Sequence, residues 1–163
     1  LQPWMAELAL AGAAYRRAGA ASQDGVETAI AAAAPKRTKR RSFETPDQQI
    51  AMLAETPRAE QIVSLRTTLK EMEQADPYER LVRAWLAGDL AAIERQAIAP
   101  VKAQTPTLYR RLVSDRNAAW AKVLDRRLKG RGRTVVVVGM GHLIGPDGLP
   151  ARLRALGYSV KGP

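Results

Sequence analysis

Thr134-Val135-Val136-Val137-Val138-Gly139-Met140-Gly141-His142-Leu143-Ile144-Gly145-Pro146-Asp147-Gly148-Leu149-Pro150 is the stretch on which the fold reading turns. Its opening is a continuous β-branched run, the composition of a strand covered on both faces. A glycine-rich turn follows. Leu149, Leu153 and Leu156 then mark a short amphipathic helix ended by Gly157, and Tyr158-Ser159-Val160 reads as a closing strand. Strand, loop, helix, strand is the order of a βαβ unit in a parallel sheet. One such unit makes no stable sheet by itself. The remaining strands are therefore expected from sequence outside this chain or from a partner. The fold class expected is α/β (α+β), mostly helical, with a small, partly parallel central sheet.

Working outward, residues 1–130 read as the helical region and 134–160 as the strand-loop-helix-strand unit of a single domain. Pro3 opens a helix with Trp4, Leu8, Ala11 and Tyr15 on one face, stopped by Gly19. Asp24 is placed to cap a second helix, Gly25 to Ala34. The stretch from Lys36 to Phe43, between Pro35 and Pro46, reads as a brief strand or extended edge. Thr56-Pro57 starts a helix with Ile62, Leu65, Leu69 and Met72 on one stripe. Asp76-Pro77 ends it and starts another, carrying Leu81, Val82, Trp85 and Leu86. Gly88 stops that one, and Asp89 can cap a shorter helix with Ile93. The longest helix is expected from about Thr107 to Lys129, ended by Gly130 and Gly132. Trp4, Trp85 and Trp120 read as core residues.

The 163 residues, 46% hydrophobic, suffice for one domain with a sizeable core. No apolar run reaches the roughly 18 residues of a transmembrane helix. The opening segment lacks the basic start and cleavage pattern of a signal peptide, and the first residue, Leu, suggests a processed, trimmed or partial product. The absence of cysteine excludes disulfides and thiolate chemistry. A net charge of +10, densest in Lys36-Arg37-Thr38-Lys39-Arg40-Arg41, raises nucleic-acid binding as a runner-up. The preferred reading of that run is a solvated basic edge. Aromatics are 5% with a single Phe, too few for base-stacking platforms, and no helix-turn-helix, zinc-finger or RRM motif is present.

His142, the single histidine, falls just past the valine run, where ligands of open α/β folds bind. Gly139 and Gly141 would let the backbone approach a ligand or metal closely, with Gly145 and Gly148 shaping the same loop. The competing reading is a histidine that only hydrogen-bonds within a tight turn. Gly-Met-Gly-His-Leu-Ile-Gly does not fit the dinucleotide-binding spacing, so no nucleotide is expected. Glu44 also lies at an expected strand end and could meet His142, a His–Glu pair that suits a divalent metal or a general base. Its competing reading is a helix-capping acid near Gln48. Arg116 falls on the apolar stripe of the long helix. A buried guanidinium needs an anion or carboxylate, unless its stem snorkels along Trp120. Asn117 follows it.

Pro3-Trp4, Phe43-Glu44-Thr45 with Gln48 and Gln49, Trp85-x-x-Gly88-Asp89, Arg116-Asn117-x-x-Trp120, Gly139-Met140-Gly141-His142-Leu143, Gly148-Leu149-Pro150 and Gly157-Tyr158-x-Val160 occur in this order over nearly the whole chain. Together they resemble the TraB/GumN family, which includes the Tiki metalloproteases. The resemblance implies a central mixed sheet covered by helices, as in the erythromycin-esterase and ChaN group. It also implies a catalytic or metal centre built from two G-x-x-H motifs and a glutamate. Gly139 to His142 matches the second motif and Glu44 the glutamate; the first motif, expected upstream of Trp4, is not in this chain. The chain is thus expected to be the C-terminal portion of such a domain, partnered by the missing N-terminal portion or by a second copy. The basic run 36–41 departs from the apolar strand usual before the glutamate.

The function expected on this basis is that of a metal-dependent, peptidase-like hydrolase acting on a peptide or polysaccharide-related substrate. His142 and Glu44 would be metal ligands (Mn, Co or Zn) or acid/base groups, with Arg116 and Asn117 in the catalytic set. The alternative is a non-catalytic module that applies its basic surface to acidic polysaccharide, a membrane surface or nucleic acid. The resemblance also implies an extracytoplasmic home.

Overall fold

A computed structural model describes all residues except 22, 24, 75 and 163, so the expected cap at Asp24 lies outside the described residues. The described residues are 67% helical and contain no strand. The expected α/β class, with its central sheet, is therefore corrected to all-α. The reason lies in strand pairing. The valine run 134–138 forms no regular element: no segment among the described residues pairs with its backbone, and Val135 remains 72% exposed. β-branched side chains favour extended dihedrals, yet a strand exists only with a ladder partner. Likewise 158–160 forms no strand among the described residues: the Tyr158 hydroxyl donates to Asp125 Oδ1 at 2.8 Å and docks the segment on a helix. The basic stretch 36–42 is exposed and forms no strand either, with the Arg40 guanidinium donating to the Ala31 carbonyl at 2.8 Å.

α1 (Pro3–Arg17) packs along α4 (Arg58–Met72), where Glu7 Oε1 accepts from Ser64 Oγ at 2.7 Å and Thr68 Oγ1 at 3.2 Å. Between them come α2 (Val26–Ala33) and α3 (Pro46–Ala54), the latter foreshadowed only by the competing reading of Glu44 as a helix-capping acid. Thr45 and Gln48 form a reciprocal capping box at its start. Thr45 rather than Glu44 is thus the cap, which leaves the Glu44 carboxylate free for other partners. α5 (Pro77–Leu86) leads into α6 (Leu90–Ile93), capped by Asp89 at the Ala92 amide, 2.9 Å.

Two helices carry π-helical turns. Glu94–Ile98 joins α6 to α7 (Ala99–Gln104), and Arg110–Ser114 joins α8 (Pro106–Tyr109) to α9 (Asp115–Leu128). Pro100 accounts for the first, because it lacks an N–H and its ring crowds the preceding turn. α10 (Leu149–Ala155) packs on α9. The core has two parts. Ala84, Ala92, Ile93 and Ile144 form one, with Leu81 and Met140 against it. Trp120, Ala121, Leu124 and Leu149 form the other, with Phe43, Val138 and Leu153. The segment from Val138 to Leu149 contributes to both, so His142 is carried by a loop that fastens the two halves of the core together. Of the tryptophans, only Trp120 is deeply buried; Trp85 is 49% exposed.

Candidate functional site

The structure brings Glu44, Arg116, Asn117 and His142 into one hydrogen-bonded cluster. α9 supplies Arg116 and Asn117, the residue before the α3 cap supplies Glu44, and a single 3₁₀ turn, Met140–His142, supplies the imidazole. Arg116 grips Glu44 side-on: Nε donates to Oε1 at 3.0 Å and Nη2 to Oε2 at 2.9 Å. Trp120 Nε1 donates to Glu44 Oε1 at 2.8 Å. The guanidinium also lies over the Trp120 ring, 4.6 Å from its centroid, so Arg116 both packs on Trp120 and holds a carboxylate. Phe43 stacks on Trp120 at 4.9 Å and the His142 ring tilts against it at 4.5 Å.

Asn117, fully buried, settles the state of the imidazole. Its Nδ2 donates to two carbonyls, His142 O at 3.3 Å and Asp147 O at 2.8 Å. A flipped amide would face those carbonyls with its own oxygen, so Oδ1 must point to His142 Nδ1, 2.9 Å away. Nδ1 therefore carries the proton. Nε2 keeps its lone pair and lies 3.3 Å from Arg116 Nη1, which donates to it. Burial, and secondarily the Arg116 charge, push the His142 pKa down to about 4, against a smaller opposing pull from Glu44. The imidazole is neutral at pH 7.

These donors do not fit a divalent cation as they stand. The Nε2 lone pair points at a guanidinium, and both Glu44 oxygens accept hydrogen bonds from Arg116, one of them also from Trp120. Arg116 itself fills the position between imidazole and carboxylate that a metal would need.

Of the loop glycines, two have clear steric reasons. Gly145 adopts φ +73°, a left-handed conformation costly for other residues. A Cβ on Gly148 would lie 2.9 Å from the Ile144 carbonyl oxygen and 3.0 Å from the Leu143 carbonyl. Gly141 passes close to Ile98 and Gly139 lies beside the His142 ring. The loop thus closes on itself and on the protein's own helices. Two cavities, about 270 Å³ (Gln2, Pro3, Ala54, Thr56, Arg58, Gln61) and 120 Å³ (Trp4, Glu7, Leu8, Leu53, Gln61, Leu108, Leu112), include none of the four cluster residues.

Sequence reasoning missed Asp147, and with it Tyr109, Ser114 and Arg152, all bonded to its carboxylate. Asp147 lies in the glycine-rich turn after the valine run, where an aspartate is common for local reasons. Burial opposes its ionisation, but hydrogen bonds from Tyr109 and Ser114 and the charges of Lys102 and Arg152 outweigh that and hold its pKa below the usual value. A family model described as TraB/PrgY/gumN family matches residues 1–162. No curated protein and no solved structure matches the chain.

Proposed function

Because the chain belongs to the TraB/PrgY/gumN family, we propose that the Arg116 cluster is one half of a hydrolytic centre acting on a peptide or polysaccharide-related substrate. The observation that supports this best is the neutral imidazole. Asn117 fixes its tautomer, and its Nε2 lone pair faces a guanidinium that Glu44 holds in orientation. A substrate carbonyl oxygen drawn to Arg116 Nη1 would free His142 Nε2 as a proton acceptor. Nε2 then takes a proton from water as the water oxygen bonds to the carbonyl carbon, and Arg116 faces the developing oxyanion. Collapse breaks the bond to the leaving group, which leaves with the proton returned from Nε2. The donors present do not fit a divalent cation, so the water is activated by the imidazole alone. The rest of the site is assigned to a preceding segment of the same protein or to a second copy, and the protein to an extracytoplasmic compartment, which cell fractionation tests.

The deciding experiment screens the protein, with any preceding segment, against peptide and ester libraries, alongside His142→Gln. General acid–base catalysis contributes about 10²–10⁴-fold, so turnover should fall at least a hundredfold. Equal turnover in parent and variant removes the reading.

A second reading is favoured by one observation: Lys36 to Arg41 form an exposed run on a chain of net charge +10. It would serve as a binding surface for acidic polysaccharide or anionic membrane. Heparin retention that falls steeply with salt and disappears when these residues are neutralised supports it; salt-insensitive retention removes it.

A further inference from the structure

We propose that Asp147 is a positioning residue of this site: it holds Asn117, and through Asn117 the Nδ1–H tautomer of His142. The inference rests on reading the cluster as catalytic, but its geometry is independent of any reaction. The Asp147 carboxylate is gripped from four elements. Tyr109 of α8 donates its hydroxyl to Oδ2 at 3.1 Å, and Ser114 of the π-helical turn donates to Oδ1 at 3.2 Å. Arg152 of α10 donates to Oδ1 at 3.1 Å, and the Lys102 ammonium of α7 lies 3.6 Å from Oδ2. Ser114 is tied in further by Arg152 Nη2, which also donates to its carbonyl at 3.2 Å and its hydroxyl at 3.0 Å.

The consequence appears at the Asp147 backbone. Its carbonyl accepts from Arg152 Nε at 3.0 Å and from Asn117 Nδ2 at 2.8 Å, the shorter of the two bonds that orient the Asn117 amide. With the carboxylate anchored, the carbonyl is fixed. With the carbonyl fixed, Asn117 cannot flip, and Oδ1 stays on His142 Nδ1. A residue five positions from the imidazole therefore selects which of its nitrogens carries the lone pair. A residue that merely stabilised the loop would not need to select a tautomer.

The readout is the long-range ¹H–¹⁵N correlation pattern of His142 at pH 7 in protein labelled with ¹⁵N-histidine, assigned by its disappearance in His142→Gln. The parent should show one tautomer, with a protonated Nδ1 and an unprotonated Nε2. Asn117→Ala sets the scale of full loss. Asp147→Ala should move both nitrogens toward the averaged shifts of mixed tautomers, and Tyr109→Phe should move them less, in the same direction. If Asp147→Ala does not fold, Tyr109→Phe combined with Ser114→Ala decides the matter. Folded variants that retain the parental pattern overturn the proposal. Altered tautomers with unchanged turnover leave Asp147 as the residue that positions the imidazole and remove His142 as the proton acceptor of the reaction instead.

Discussion

Arg116 stands between Glu44 and His142. Its Nε and Nη2 hold both carboxylate oxygens at 2.9 to 3.1 Å, while Nη1 lies 3.3 Å from the imidazole Nε2. The two acceptors approach from distant parts of the sequence, and the guanidinium donates hydrogen bonds to both, while Trp120 donates to the carboxylate and packs its ring on the imidazole. It is also pressed on the Trp120 face, which together with a carbonyl bond from Nη1 to Leu112 at 3.1 Å leaves it little freedom. The cluster is thereby a cation-centred site in which the cation belongs to the chain.

Breaking this pair should cost more than the pair contributes. The Glu44 and Arg116 side chains are only 11% and 19% exposed, so removing one partner leaves a largely desolvated charge. Glu44→Gln and Arg116→Met are each expected to lower unfolding free energy by about 3 kcal/mol, and the double variant by less than the sum. Urea denaturation of all four proteins measures this; a coupling below about 0.5 kcal/mol would show that the pair is energetically idle.

The depressed His142 pKa makes a pH prediction with a definite sign. The folded imidazole titrates near 4 and an unfolded one near 6.5. Between these values the unfolded chain binds a proton that the folded protein refuses, so the contribution is present above about pH 6.5 and is lost as pH falls toward 4. Relative to His142→Gln, which lacks this titration, the parent should lose stability across that window and run parallel to it above pH 7. Parallel curves throughout would place the imidazole in water.

Arg116 shows how much of the site was legible. A charged residue on an apolar helix stripe implies a partner, and the partner is the carboxylate of Glu44. The helices were legible for the same reason, since Pro3, Asp89, Gly88 and Gly157 punctuate a 3.6-residue period. The valine run misled because β-branched composition reports a preference for extended backbone, whereas a strand needs a neighbour that these residues do not contain. Asp147 was invisible because its partners, Tyr109, Ser114 and Arg152, come from separate helices and have no local spacing. The π-helical turn Arg110–Ser114 hid as well, lying inside what reads as one continuous helix.

Gly148 tests whether the loop tolerates any side chain. Its φ of −65° suits every residue, so conformational freedom is not the reason for glycine here. A Cβ would sit 2.9 to 3.0 Å from the backbone of Leu143 and Ile144, atoms that cannot rotate away. Gly148→Ala should therefore cost about 1–3 kcal/mol and disturb His142. Gly157→Ala, strained by φ +89° but with open space around it, should cost about 1–2 kcal/mol and leave the His142 resonances unchanged. Melting curves and the same histidine spectra distinguish these outcomes; an unperturbed His142 in Gly148→Ala would mean that the loop yields without moving the imidazole.

Removing the internal cation should create affinity for an external one. In Arg116→Ala the Nε2 lone pair, still oriented by Asn117 at Nδ1, and the Glu44 carboxylate both face the space that the guanidinium filled. A neutral imidazole and a carboxylate are ordinary zinc ligands, and the repulsion from Arg116 would be gone. Isothermal titration with Zn²⁺ or Co²⁺ should give at least tenfold tighter binding to Arg116→Ala than to the parent, with the gain lost when His142→Ala is added. A parent protein that already binds one equivalent tightly, and loses it on His142→Ala alone, would show that Arg116 yields its place to a metal and that the cluster as described is only its resting arrangement.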